Sequence, residues 1–261
     1  GSHVPHQKEH VKREHEILGK NSLYGNYGNL VAQSPFARER IISQQLNDEN
    51  LVCANPILWA KKKSLNKTNN DNIFTIVHAG SLKLRHQRRL IYETSDEYVK
   101  ALLEICEFIR DVDQLRLIIK SRPSDYELTE SSLLALLSPI PKNVTIEMSR
   151  RIDDLLSEAD LLISYSSTTI EEALVNDVPV LLYGGDGRYS HIPVKPFSYT
   201  NNHIFRPVTF VNSKVDLEKY FKILSLEYNK FKQTQLNFAE YKHKDEDTVD
   251  FIKYISEYYF K

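Results

Sequence analysis

The sequence predicts an α/β fold, a Rossmann-like doubly wound parallel sheet with helices on both faces. From residue 73 onwards, short apolar runs alternate with segments of helical periodicity. The run "IFTIVHAGS", residues 73–81, has no polar face, whereas "DEYVKALLEICEFIRDV", residues 96–112, repeats apolar residues at helical spacing. Strands that are apolar on both faces and alternate with helices are typical of parallel sheets covered on both sides.

A short strand–helix segment is predicted ahead of this sheet. Leu30 to Ala32 forms an apolar strand, and Ser34-Pro35 starts a helix, because serine caps helices and proline suits the first helical position. A further strand is predicted within residues 49–59. The strands predicted in the main sheet cover residues 73–81, 115–121, 143–148, 160–167, 178–185 and a stretch near 207–212. The predicted helices cover residues 96–112, 130–138, 151–159, 167–177, 215–226 and 248–260.

These elements divide the chain into five segments. Residues 1–3, Gly-Ser-His, resemble a remnant of a removed tag, and methionine occurs only at Met148, so we expect a fragment of a longer protein. The predicted segments are the tag remnant (1–3), the end of an N-terminal domain with an interdomain segment (4–60), a linker (61–72), the Rossmann-like domain (73–214) and C-terminal helices (215–261).

Composition argues against several classes of protein. A net charge of -1, from 34 basic and 35 acidic residues, gives no overall field that would attract nucleic acid or an anionic membrane. No apolar run reaches the roughly 20 residues of a membrane span, and no signal peptide is recognisable. The chain has two cysteines, Cys53 and Cys106, too few for a scaffold held together by disulfides. They are also too far apart in the sequence to match the spacing of metal ligands. We therefore expect reduced thiols, a cytoplasmic location and no bound metal.

The first candidate site follows the strand that ends near residue 80. Gly80 and Ser81 form a turn in which the backbone can approach a phosphate, and the free N–H groups of the next helix would face it. His78 ends the strand itself. Basic side chains follow: Lys83, Arg85, Arg88 and Arg89. The alternative interpretation is a tight turn beside a solvated basic face, with His78 as a structural histidine.

The second candidate site lies in "ISYSSTTIEEALVNDVPVLLYGG", residues 163–185. Hydroxyl and carboxylate side chains cluster here between two apolar runs: Ser166, Ser167, Thr168, Thr169, Glu171 and Glu172. Thr168 and Glu171 have the spacing of a capping box, which leaves the other four unexplained. Hydroxyls at a helix start can donate to a diphosphate, and a carboxylate one turn later can accept from a ribose. We expect Glu171 to cap and Glu172 to reach the sugar, because successive helical residues diverge by about 100°.

The third candidate site is the loop "GGDGRYSH", from Gly184 to His191. Three glycines in four residues follow a central strand, so the backbone could approach a ligand closely. Asp186, Arg188 and His191 are its polar candidates. A surface turn is the alternative interpretation.

Two stretches resemble GT-B glycosyltransferases. "SPFARERIISQQLNDENLVCANPILW" is similar to the junction between the two halves of such enzymes, and "ADLLISYSSTTIEEALVNDVPVLLY" resembles their donor-site motif. The same pattern occurs in surface-polysaccharide glycosyltransferases, glycerol-phosphate polymer transferases and UDP-N-acetylglucosamine 2-epimerases. The resemblance covers roughly residues 29–200. It implies that Glu172 holds the nucleotide ribose, that Ser166 to Thr168 flank the phosphates, and that Gly80 and Ser81 approach the diphosphate.

The sequence departs from the family pattern in three ways. The paired glutamates of retaining enzymes are absent, since Ser164 occupies the position of the first acid. The Asp-Tyr-Ser-Ser form of glycerol-phosphate transferases is replaced by Ser164-Tyr165-Ser166-Ser167. Only one complete Rossmann-like domain is predicted, whereas GT-B enzymes have two.

The resemblance implies the C-terminal, donor-binding half (73–214) of a GT-B glycosyltransferase in cell-surface polysaccharide or lipopolysaccharide biosynthesis. The nucleotide-sugar donor is a substrate, and neither a cofactor nor a metal at the donor is expected. The acceptor would be a glycan or lipid-linked molecule, with peripheral association at the inner face of the cytoplasmic membrane through the missing half. The expected nucleotide-sugar-binding residues are Gly80, Ser81, Arg85, Ser166, Ser167, Thr168, Thr169, Glu172, Gly184 and Arg188. The candidates for the general base are His78, Asp186 and His191.

Two alternatives remain open. One is another enzyme on the same scaffold, either 2-epimerase-like or a glycerol-phosphate transferase. The other is a non-catalytic module that binds a nucleotide or a partner protein. If the chain is a truncated fragment, we expect it to bind a nucleotide without turning over substrate.

Overall fold

A computed structural model describes residues 30–43, 51–54, 72–80, 93–121, 129–187, 190–197, 203–244 and 248–259. The chain divides into two compact units, a smaller one of residues 1–60 and 237–261 and a larger one of residues 61–236. No helix among the described residues is long and apolar enough to cross a membrane.

The larger unit is built on a six-stranded parallel sheet. Its strands are β3 (Phe74–Gly80), β4 (Leu115–Ser121), β5 (Val144–Glu147), β6 (Leu161–Ser164), β7 (Val180–Leu182) and β8 (Val208–Phe210). They lie in the order β5-β4-β3-β6-β7-β8, and every neighbouring pair is parallel. Counted from β3, this is the Rossmann order 3-2-1-4-5-6. The predicted fold class is confirmed.

The helices of the larger unit agree with the predicted pattern, with shifted ends. They are α2 (Ser95–Ile109), α3 (Glu130–Leu137), α4 (Ile152–Glu158), α5 (Thr169–Val175) and α6 (Lys214–Gln233). Helix α6 runs past the predicted end at residue 226, through a kink at Glu227. Phe231, in its last turn, is buried in the core, and this packing extends the helix.

The sheet buries apolar side chains on both faces. Alternate residues of β3 and β4, such as Phe74 and Leu117, pack with α2 and α6 in one core cluster. The residues between them, such as Val77 and Ile118, are also buried but lie outside that cluster. Because strand side chains alternate between faces, a continuous apolar run is what a doubly covered strand requires.

Helix α2 begins with a complete capping box. The Thr94 hydroxyl accepts from the Glu97 N–H at 3.3 Å, and the Glu97 carboxylate accepts from the Thr94 N–H at 2.7 Å. Two N–H groups that a helix start leaves open are thereby satisfied. This cap fixes the first turn of α2, which carries Tyr98.

The smaller unit contains a two-stranded parallel sheet of β1 (Leu30–Ala32) and β2 (Leu51–Cys53). Helix α1 (Pro35–Ser43) begins as predicted, with the Ser34 hydroxyl accepting from the Ala37 N–H at 3.1 Å. Helix α7 (Phe251–Tyr259) follows a bridge between Ala54 and Val249. The ring of Phe36 stacks on Tyr241 with centroids 5.6 Å apart.

Asn143 joins elements at the amino-terminal side of the main sheet. Its side-chain amide lies 2.9–3.1 Å from the carbonyl oxygens of Ile109, Val112 and Leu115. We expect Asn143→Ala to lower the free energy of unfolding by about 1–3 kcal/mol, because it leaves partly buried carbonyls unpaired. Urea denaturation measures this. The neighbouring Lys142→Ala is the control and should change stability by less than about 0.5 kcal/mol, because the Lys142–Asp113 pair is exposed. Equal effects of the two variants would contradict the role of Asn143.

Candidate active site at the junction of β3 and β6

The centre of the sheet contains the point at which strand order reverses. Strands β3 and β6 are neighbours, with His78 opposite Ile163, although residues 81–160 separate them in the chain. In open α/β sheets, ligands bind beyond the carboxyl ends of the strands at such a point. The first two candidate sites predicted from the sequence, after β3 and after β6, therefore lie side by side at one edge of the sheet.

Ser164 fixes the two strand ends to each other. Its hydroxyl donates to the Ala79 carbonyl oxygen at 2.7 Å, and its side chain is fully buried. Ser164 therefore stabilises the pairing of β3 with β6.

The predicted capping box at α5 is wrong. The Thr168 side chain makes no capping hydrogen bond, and its backbone is helical (φ -61°, ψ -18°), whereas a capping residue is normally extended. Ser167 acts one residue earlier: its hydroxyl accepts from the Thr169 N–H at 3.2 Å and donates to the Thr169 hydroxyl at 3.0 Å. Two of the four hydroxyls of this cluster are thus engaged with each other.

Glu171 has a different partner from the one predicted. Its carboxylate lies 3.2 Å from Nε2 of His191, and both side chains are largely buried. His191 follows the glycine-rich loop in the sequence, so this contact ties that segment to α5. The pair brings together one residue of the second candidate site and one of the third.

Ser166 and Glu172 are the remaining polar groups of the second site. The Ser166 hydroxyl oxygen is buried and has no hydrogen-bond partner among the described residues. Glu172 is only 7% exposed. The pKa of Arg151, at the start of α4, is raised first by its hydrogen bond to Asp153, with a smaller electrostatic contribution from Glu172. Glu172 is therefore a buried carboxylate close enough to α4 to interact with a guanidinium.

On the α2 side of the sheet, three more buried polar atoms lie at strand ends. They are Nδ1 of His78, which has no hydrogen-bond partner in the described part of the chain, and the hydroxyls of Tyr98 and Ser121. Burial raises the pKa of Tyr98, and a hydrogen bond with Ser121 opposes that effect, so these two hydroxyls lie next to each other. The rings of His78 and Tyr98 are 5.8 Å apart, and Ser121 lies opposite Gly80 in the β3–β4 ladder. Burial lowers the pKa of His78 to about 4, so the imidazole is neutral at pH 7.

Gly80 is explained by packing against the protein itself. A Cβ atom at this position would lie 2.8 Å from the Tyr98 ring and 3.1 Å from His78. The missing side chain therefore makes room for Tyr98. From the sequence, we had expected Gly80 to let the backbone approach a bound phosphate.

The glycine-rich loop is likewise shaped by its own neighbours. Gly184, Gly185 and Gly187 have positive φ values, and a Cβ atom at Gly185 would lie 2.3 Å from the Tyr165 ring. Asp186 pairs with Lys100 at 2.9 Å, with both side chains more than half exposed. A cavity of about 50 Å³ lies between this loop, α2 and the start of α6. It is far smaller than the several hundred Å³ that small-molecule sites usually occupy.

Several predicted site residues lie outside the described residues. They are Ser81, Arg85 and Arg188, together with the basic residues Lys83, Arg88 and Arg89. Their assignment to the site stays a prediction. Among the described residues, no group of three or more His, Cys, Asp or Glu side chains is placed to hold a metal ion.

Tyr98, Ser121 and Arg151 were missed from the sequence. Tyr98 has the spacing of a core residue, and it is indeed 1% exposed. Periodicity predicts that its ring is buried but gives no information about what its hydroxyl contacts. Ser121 ends a strand next to β3 and could have been found by the strand-end rule that identified His78. Arg151 precedes α4 and could have been found by the same rule at β5.

Comparison with known proteins finds similarity in structure only. No family model and no curated protein sequence matches the chain. A protein of Listeria monocytogenes described as a UDP-N-acetylglucosamine 2-epimerase is 12% identical, with a TM-score of 0.53 over 93% of this chain and 65% of its own. The UDP-N-acetylglucosamine 2-epimerase of Neisseria meningitidis, bound to UDP-N-acetylglucosamine, is 15% identical, with a TM-score of 0.50 over 85% of this chain and 62% of its own.

The wall teichoic acid polymerase TagF is also similar, at 9% identity and a TM-score of 0.46 over 89% of this chain and 55% of its own. The chain thus spans between 55% and 65% of the length of these three structures. Identities this low concern the fold alone. The chain shares its fold with the two epimerase structures, as expected from its sequence resemblance to proteins with a GT-B fold.

Proposed function

We propose that this chain binds a nucleotide-activated sugar as the donor-binding part of a GT-B glycosyltransferase. The observation that carries the proposal is a pair of buried polar atoms without a hydrogen-bond partner among the described residues, Nδ1 of His78 and the Ser166 hydroxyl, at the carboxyl ends of β3 and β6, where the strand order reverses. Buried polar atoms are normally hydrogen-bonded, so each exception calls for an explanation. A bound ligand at the switch point of the sheet supplies one.

The β6 side of the site suits the nucleotide. In this proposal the Ser166 hydroxyl donates to a phosphate oxygen, and Glu172 accepts hydrogen bonds from the ribose hydroxyls. The low exposure of Glu172 strengthens such bonds, because a carboxylate acceptor is stronger where water is excluded.

The chemistry proposed is glycosyl transfer to a hydroxyl. The bond between the anomeric carbon and the phosphate oxygen breaks, the acceptor oxygen bonds to that carbon, and its proton passes to a general base. Of the candidates for the general base, His191 has a carboxylate partner, Glu171, which can orient its imidazole for proton transfer. The low pKa of His78 makes it a weak base, and Asp186 is already paired with Lys100.

The wider setting of this activity is also a proposal. A glycan or lipid-linked acceptor would place the reaction in cell-surface polysaccharide or lipopolysaccharide biosynthesis, in the cytoplasm at the inner face of the membrane. The donor would bind without a metal or a further cofactor.

A second candidate is 2-epimerisation of the same class of donor. The Listeria and Neisseria structures are described as UDP-N-acetylglucosamine 2-epimerases, so UDP-N-acetylglucosamine is a natural first ligand to test. Incubation of the full-length protein with this donor and no acceptor separates the two reactions. A new hexosamine nucleotide would support epimerisation. Release of UDP that depends on an acceptor would support transfer.

Glu172→Gln tests the nucleotide site without changing side-chain volume. We expect it to weaken nucleotide binding by about 1.5–3 kcal/mol, the usual contribution of hydrogen bonds to a charged group. Calorimetry with UDP, CMP, CDP and GDP measures the effect and also identifies the base. Glu171→Gln is the matched control, since it alters the neighbouring acid and its contact with His191. A larger loss of affinity in Glu171→Gln would assign the ribose to Glu171 instead, and no binding of any nucleotide to the unaltered chain would refute the proposal.

Ser166→Ala should weaken nucleotide binding, whereas Ser164→Ala should lower the stability of the fold. The Ser166 hydroxyl has no protein partner among the described residues, so its loss should leave unfolding unchanged and weaken nucleotide binding by about 0.5–1.5 kcal/mol. The Ser164 hydroxyl bonds Ala79, so its loss should lower the free energy of unfolding by about 1 kcal/mol. Thermal denaturation and calorimetry on both variants measure the two effects. A stability loss in Ser166→Ala with unchanged nucleotide affinity would contradict its role.

A further inference from the structure

The groups proposed to bind the nucleotide are covered in this structure. The Ser166 hydroxyl oxygen is buried, and Glu172 is only 7% exposed. A ligand can contact such groups only after a neighbouring segment has moved aside. Access to the site therefore requires that a segment covering the end of β6 can open.

The glycine-rich loop, residues 184–187, packs against this strand end. A Cβ atom at Gly185 would collide with the Tyr165 ring, and one at Gly184 would lie 3.0 Å from the Tyr165 Cβ atom. Tyr165 is 3% exposed and directly precedes Ser166 in the chain. The loop therefore holds in place the segment that carries the Ser166 hydroxyl.

The base of the loop is fixed, and the residues above it bend sharply. The Tyr183 hydroxyl donates to the Glu104 carboxylate of α2, and both side chains are buried. The next four residues, 184–187, all have positive φ values, with 50° at Asp186. Glycine adopts such values without strain, whereas aspartate does so at a cost that other contacts must offset. Gly184 is suited to be a hinge, because a glycine can absorb a large change in φ and ψ.

An ion pair on the surface holds the loop against α2. The Lys100 ammonium lies 2.9 Å from the Asp186 carboxylate, and the two side chains are 58% and 57% exposed. The pKa of Lys100 is raised, first by this hydrogen bond. Exposed pairs of this kind contribute little stability and are screened by salt. A cavity of about 50 Å³ borders the loop, α2 and the start of α6, so little side-chain packing opposes opening.

A second contact ties the chain to α5. Nε2 of His191, four residues beyond Gly187, lies 3.2 Å from the Glu171 carboxylate, and both side chains are largely buried. The chain is thus anchored to α2 at Asp186 through an exposed pair and to α5 at His191 through a buried contact. The exposed pair is the easier of the two to break, because water and salt screen it.

We propose that the glycine-rich loop is a lid over the nucleotide site, with the Lys100–Asp186 pair as its latch. The latch opens to admit the nucleotide and closes again over the bound ligand. It therefore affects the rates of binding and release more than the affinity. This inference rests on the proposed function and adds the step that controls access to the same site.

Removing the latch should speed both binding and release. Asp186→Asn keeps the size of the side chain and tolerates the left-handed backbone, and Lys100→Met removes the ammonium. For the nucleotide that calorimetry identifies among UDP, CMP, CDP and GDP, surface plasmon resonance on the full chain gives both rate constants. We expect each variant to raise both about twofold to fivefold, the range of an exposed ion pair, while Kd changes less than about twofold. The double variant should match either single variant, because all three remove the same interaction.

Two further measurements isolate the latch. Hydrogen exchange of residues 183–187 without nucleotide should be faster in both variants, because opening exposes these amides. At high salt, the rate constants of the unaltered chain and Asp186→Asn should converge, since the pair is then screened. Asp113→Asn is the matched control: it breaks another exposed pair, with Lys142 at 2.8 Å, and should change neither loop exchange nor the nucleotide rates.

Unchanged nucleotide rates in both latch variants would overturn the lid, whether or not loop exchange becomes faster. Faster rates without faster exchange would place the opening elsewhere and would also overturn it. Slower association in Lys100→Met alone would show that Lys100 contacts the nucleotide directly, which contradicts a latch. All three results leave the proposed nucleotide site intact. If none of the four nucleotides binds, the proposed function is wrong and the lid falls with it.

Discussion

The parallel pairing of β3 with β6 is the constraint on which the rest of the candidate site depends. Residues 81–160 separate the two strands, so their pairing has to be held by contacts that are distant in the chain. The Ser164 hydroxyl supplies one where the strands end, by its bond to Ala79. Because a one-residue slip would turn every side chain to the other face, this register decides that His78 faces α2.

Neighbouring side chains account for the glycines around the site. The Tyr98 ring occupies the space beside Gly80, and the Tyr165 ring occupies the space beside Gly185. A Cβ atom at Gly184 would lie 2.8 Å from the Glu93 carboxylate. A larger residue at Gly185 would need both a left-handed backbone and the space already taken by the Tyr165 ring. The glycines therefore allow large side chains to pack over the strand ends.

The sheet was predictable from the sequence because doubly buried parallel strands leave a continuous apolar run between helices. The element order and the strand-end location of His78, Gly80 and Ser166 follow from that pattern alone. The capping box at Thr168 was predicted wrongly, because residue spacing cannot show that the Ser167 hydroxyl accepts the hydrogen bond from the Thr169 N–H. The contact of Glu171 with His191, and the approach of Tyr98 to His78, join residues that are 20 apart in the chain. Such contacts depend on the crossovers of the fold, which local patterns do not encode.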